Sequence, residues 1–106
     1  MYVILTSKPG VFHSEVKAPF RIVESYEYRL YGILKAIFHI SVIEGDAKVR
    51  IIEDEPPYIV NDVPSKFLEK FDSIELARNE LRHLTTFGSI EAELVLCMGA
   101  IGTTTS

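Results

Sequence analysis

The densest run of reactive side chains in the sequence is Tyr26-Glu27-Tyr28-Arg29-Leu30-Tyr31. Tyr26 and Tyr28 stand two residues apart, so in a strand their rings share one face. Two hydroxyls set against an apolar layer each need a hydrogen-bond partner. Such an arrangement suits a pocket between a sheet and a helix, where tyrosines hold a small ligand. In an enzyme, His39 or His83 would supply the acid/base group. Tyr26, Tyr28 and His39 are therefore the candidate ligand-binding residues. The plainer reading is that the rings pack and their hydroxyls reach water at the rim of the layer.

Other chemistries find less to build on. His13, His39 and His83, with the lone Cys97, show no His-x-His, no histidine pair at helical i, i+4 and no Cys-x-x-Cys, so no metal site is expected. Cys97 would need a nearby cation or helix N-terminus to become a nucleophile. Its neighbours on an alternating strand face are Glu91, Glu93 and Val95, and negative charge raises a thiol's pKa. No Gly-x-Ser-x-Gly elbow is present. Lys8-Pro9-Gly10 and Gly99-Ala100-Ile101-Gly102 do not open a helix that could cradle a phosphate. Glu53-Asp54-Glu55 and the pair Glu44/Asp46 lack the ligand spacing of a calcium loop. No catalytic residue and no cofactor are assigned.

The elements that would position these residues follow from periodicity. Every second residue from Leu34 to Val42 is apolar (Leu34, Ala36, Phe38, Ile40, Val42), and so is every second residue from Ala47 to Ile51 (Ala47, Val49, Ile51). Gly45-Asp46 between them suits a two-residue turn, which would pair Val42 with Val49 and Ile40 with Ile51. Upstream, 22–31 is rich in aromatic and β-branched residues, and a three-residue loop over Tyr31–Ile33 would pair Tyr26 with Phe38 and Tyr28 with Ala36. Only Glu24, opposite Ile40, fits this register badly. A three-strand meander over 21–30, 34–44 and 47–53 is the result. Pro56-Pro57 ends it, and 58–65 reads as a loop with Asn61, Asp62 and Pro64 as turn formers.

Residues 66–71 suit a helical turn or a strand equally. Asp72 reads as an N-cap with Glu75 three residues on. Ile74, Ala77, Leu81 and Leu84 then form one stripe while Glu75, Arg78, Asn79 and Arg82 face away, and Gly88 stops the helix. Ile90, Ala92, Leu94 and Leu96 mark a last strand, and Tyr2–Thr6 a first one. The fold class is thus α+β: a mainly antiparallel five-stranded sheet, built from an N-terminal strand, the meander and a C-terminal strand, with one covering helix. Residues 1–98 make a single domain, and 99–106 a flexible tail. The second sheet face mixes Ile33, Ile37, Ile43 and Ile52 with Lys35, His39, Lys48 and Arg50, a surface that suits either a second subunit or plain solvation.

Bulk properties narrow the classes. The chain has 106 residues, 47% hydrophobic and 25% charged, with formal net charge −4, a pI near 5.3 and mean hydropathy +0.16. These values belong to an ordinary globular domain and exclude binding of nucleic acid through a broad basic surface. The charge is unequally divided: residues 1–52 carry seven Lys/Arg and five Asp/Glu, 53–106 four and ten. One cysteine permits no internal disulfide. No apolar run reaches the ~20 residues of a membrane span, and no basic stretch precedes Met1–Leu5, so a cytoplasmic location and no membrane partner are expected.

Three stretches, Tyr26-x-Tyr-x-x-Tyr-Gly32, Val63-Pro-Ser-Lys-Phe-Leu-Glu-Lys-Phe71 and Phe87-Gly-Ser, resemble small bacterial proteins found beside aromatic-compound oxygenase systems, some of them labelled ferredoxin. The resemblance spans most of residues 1–95 and carries over no functional residue. One Cys and three scattered His match no usual iron–sulfur ligand pattern, so it implies an accessory subunit and not an electron carrier. The expectation is a non-catalytic binding or accessory domain, acting as a homo-oligomer or as a small subunit of a larger, oxygenase-type assembly. The alternative is a small-ligand-binding protein or enzyme using the tyrosine-lined layer.

Overall fold

The computed structural model describes residues 1–85 and 92–98. Among the described residues, seven strands and one α-helix occur in the order β1 (Tyr2–Ser7), β2 (Phe12–Glu15), β3 (Arg21–Leu30), β4 (Ile33–Val42), β5 (Lys48–Glu53), β6 (Val60–Pro64), α1 (Ile74–Leu84) and β7 (Ala92–Met98). The class is α+β with antiparallel pairing throughout, but the strands divide into two sheets, β1-β4-β3-β7 and β2-β5-β6. The single five-stranded sheet expected from the sequence is therefore corrected to four strands plus three.

The β3–β4 hairpin forms as its alternation predicts. Tyr26 pairs with Phe38, Tyr28 with Ala36 and Glu24 with Ile40. The turn is tighter than the expected three-residue loop. Tyr31 (φ 52°) and Gly32 (φ 78°) are its two central residues, and paired positive φ values match the right-handed twist of the flanking strands. Leu30 consequently faces Ile33, and an irregularity between Ile22 and Glu24 moves Arg21 opposite Val42.

The second expected hairpin does not form. Both edges of β4 are occupied, by β1 and β3, so Lys48–Glu53 has no edge there to join. The chain leaves the first sheet after Val42, and β5 pairs instead with β2 and β6; Val49 lies opposite Val63. The two apolar faces that the alternation matched thus belong to different layers.

Three layers result. Val3 and Leu5 of β1, with Phe20, Ile43 and Val49, are buried between the two sheets, joined by Ala47, Ile51, Val63 and Leu68 at the margin. On the opposite face of the four-stranded sheet, Ile40, Val23, Phe71, Ala77 and Leu81 form the layer beneath α1, with Ile4, Phe38, Val42 and Leu94 around them. The chain's own second sheet therefore covers part of the face that the sequence offered to another subunit. No helix among the described residues is long and apolar enough to cross a membrane.

α1 is capped by Ser73, whose Oγ accepts from the Leu76 N–H (3.2 Å), one residue beyond the expected Asp72. It ends at Thr85, whose hydroxyl donates to the Leu81 carbonyl (2.7 Å). Ala77 and Leu81 are buried as the stripe requires, but Leu84 is exposed. Residues 66–71 resolve into a 3-10 turn at Ser65–Phe67 and a bridge from Phe71 to Tyr2, neither α-helix nor strand. The segment 58–65, read as a loop, contains β6. Gly88, Ile90 and the tail 99–106 lie outside the described residues.

Candidate functional site

The residue that fitted its strand worst centres the most polar part of the helix-side layer. Alternation aims Glu24 at α1, where a carboxylate only 6% exposed requires a cationic or hydrogen-bonding partner. It has both. Arg78 grips it through two guanidinium nitrogens, with Nε 2.9 Å from Oε1 and a short bond from the second nitrogen to Oε2. The Tyr26 hydroxyl donates to Oε1 at 2.8 Å. Arg78 comes from the helix face read as solvent-facing; its side chain stays 36% exposed while its guanidinium bonds Glu24.

Electrostatics follow from this geometry. Arg78's hydrogen bonds hold the Glu24 carboxyl below its ordinary value despite partial desolvation. Tyr26 is pushed up, first by desolvation and then by donating to a carboxylate, which favours the protonated phenol. Arg78 is raised by its bonds to Glu24. The trio is thus a charged clamp with all three groups in the protonation states that bind one another.

Beside the clamp, Tyr26, Arg78, Leu81, Arg82 and Leu94 line a cleft of about 190 Å³. Tyr26 therefore lies where a sheet–helix pocket was sought. Tyr28 shares its face, but its ring packs tilted against Phe38 with centroids 6.2 Å apart. His39 lies on the other face, opposite Ser25 in the strand register. Its Nδ1 is 2.7 Å from the Ser25 hydroxyl, and burial pushes the imidazole down, favouring the neutral ring. The structure brings Tyr26 and Tyr28 to one face of the sheet and leaves His39 on the other. With Ser25 buried, the Ser25–His39 contact is a cross-strand hydrogen bond without an open approach to the hydroxyl.

Two further groupings escaped the sequence reading. His13 Nδ1 is 2.7 Å from Asp54 Oδ1, and the second carboxylate oxygen accepts from the Gly10 N–H. Phe12, Ile51, Glu53, Glu55 and Asn61 are among the residues that line a cleft of about 470 Å³. Neither has a local motif, because its members come from β2, β5, β6 and the intervening turns. Glu24 did carry a signal: its misfit opposite Ile40. Arg78 carried none.

No protein-family model matches this chain. Comparison with curated proteins and with solved structures likewise finds no match.

Proposed function

We propose that this chain works through binding, as a small self-associating domain that serves as an accessory component of a larger assembly. One observation carries the reading: β7, the last strand of the four-stranded sheet, leaves Val95 38% and Leu96 52% exposed on opposite faces. Apolar residues on both sides of an edge strand are poorly placed in a chain that stays alone. The resemblance to proteins beside aromatic-compound oxygenases suggests such an assembly as the setting. Light scattering at low micromolar concentration tests the reading. A mass of twice the 12.0 kDa chain is expected, and a strictly monomeric species that takes up no partner contradicts it.

The second reading is a ligand pocket at Tyr26, favoured by the cleft that Tyr26 shares with Arg78 and Leu94. Its volume of about 190 Å³ is below the roughly 300–1,000 Å³ of most ligand sites, and the Tyr26 hydroxyl already serves Glu24. Tyr26→Phe and Tyr28→Phe should alter ligand affinity without unfolding the chain if this reading holds.

A further inference from the structure

The consecutive acids Glu53, Asp54 and Glu55 divide into two roles. Asp54 is committed to the fold. Its carboxylate accepts from the Gly10 N–H at 3.1 Å and lies 2.7 Å from His13 Nδ1, and its own N–H donates to the Val11 carbonyl at 2.9 Å. These contacts tie the β1–β2 turn to the end of β5. Glu53 and Glu55 instead line the cleft of about 470 Å³, with Val11, Phe12, Ile51 and Asn61.

The strand register explains how that lining is assembled. Phe12 pairs with Glu53 and Ile51 with Asn61. Paired residues share a face, as do residues two apart, so all four stand on one face of the second sheet. Val49 continues it and is buried against the first sheet, with Ile51 packed beside it. Alternation thus places a carboxylate and a carboxamide on the core-facing side, where a covered polar group needs a partner. Glu24, in the same predicament beneath α1, is answered by Arg78. Among the described residues, no hydrogen bond or ion pair answers the side chains of Glu53, Glu55 or Asn61, and no Lys, Arg or His lines the cleft.

We propose that this cleft binds an organic cation, an ammonium group carried on a compact apolar body. Glu53 and Glu55 take the charge, the Asn61 carbonyl accepts an N–H, and Phe12, Val11 and Ile51 take the body. The volume falls within the roughly 300–1,000 Å³ of most ligand sites. A hard divalent cation uses six or more oxygens and leaves apolar lining idle, and an anion would meet two carboxylates. Backbone bonds already fix the surroundings: the Glu53 N–H donates to the Ile59 carbonyl at 3.0 Å and the Tyr58 N–H to that of Glu55 at 2.9 Å. The site is independent of both readings above, and neither the self-association nor the Tyr26 cleft bears on it.

Titration of the full chain with benzylamine, protonated at neutral pH, and followed by ¹H–¹⁵N NMR, tests the site. Benzyl alcohol and benzoate serve as neutral and anionic controls, and calcium chloride as the metal control. Benzylamine should shift the amides of Gly10, Val11, Phe12 and Asn61 saturably, with a Kd of about 1 mM, as fits a ligand of few atoms in a partly solvated cleft. Glu53→Gln and Glu55→Gln, with folding verified by circular dichroism, should each weaken binding by about two- to five-fold, whereas Glu69→Gln, outside the cleft, should leave it unchanged. Shifts that never saturate, equal binding of benzyl alcohol, unchanged affinity in both cleft variants, or a response of these amides to calcium but not to benzylamine would each overturn the proposal. If a glutamine variant fails to fold, the comparison of benzylamine with benzyl alcohol on the parent chain still decides.

Discussion

Replacing Arg78 with methionine removes the charge that satisfies Glu24 and keeps an unbranched apolar side chain in its place. Loss of one partner from a fully buried ion pair costs roughly 3–5 kcal/mol, because the other charge is stranded. Here the Glu24 side chain is 7% exposed but Arg78 is 36% exposed, so water reaches one end and can hydrate the carboxylate once the arginine is gone. Discounted for that screening, the loss is about 2 kcal/mol at pH 7, or a fall in Tm of roughly 10 °C for a chain of this size. The sign with pH is distinctive. In the parent the Glu24 carboxyl is held below its ordinary 4.5, first by Arg78 and secondarily by Tyr26. Its stabilisation is present above that value and disappears as pH falls through the folded one. Without Arg78, desolvation outweighs the Tyr26 bond and the carboxyl moves up. Protonation then relieves the variant while it deprives the parent, so the gap narrows toward pH 4. Urea unfolding followed by circular dichroism, at fixed protein concentration, measures this. A loss below about 0.5 kcal/mol, or a gap that widens in acid, would refute the clamp.

Three further substitutions probe other parts of the fold. Ile40 is wholly buried under α1, so Ile40→Ala should lower stability by roughly 2–5 kcal/mol, read from the urea midpoint at unchanged m-value. Ser73→Ala should cost about 1 kcal/mol as the true cap of α1, and Asp72→Ala should cost less; the reverse order would restore the cap to Asp72. The folded value of His39 lies below its ordinary 6.5 because of burial, so unfolding takes up a proton between the two. The parent should lose stability as pH falls from 7 through that window, and His39→Gln should flatten that part of the profile.

What the sequence disclosed depended on whether the deciding contact was local. The β3–β4 hairpin was legible because its strands, turn and partners occupy one continuous stretch, and the centre of its register follows from alternation. The β4–β5 hairpin had equally good alternation and a suitable glycine. It failed because β1, distant in sequence, occupies the edge that β5 would need, and local pattern cannot report competition for an edge. β2 and β6 are four and five residues long, with His13, Asn61 and Asp62 in them, too short and polar to show a period. At the candidate site, Tyr26 was legible as an inward hydroxyl needing a partner, and Glu24 as an inward carboxylate without one. Their common answer, Arg78, was hidden because a long side chain on a helix flank can turn back over the layer it borders. His39 was placed on its face correctly, and the same register already paired it with Ser25.

Self-association is the central claim, and sedimentation equilibrium of the unmodified chain across low to high micromolar concentration tests it most directly. The account predicts an average mass that climbs with concentration toward twice the 12.0 kDa of one chain, and a Val95→Lys variant that stays at the lower value because a lysine in an edge strand deters association. A parent that remains at 12.0 kDa over the whole range would contradict it.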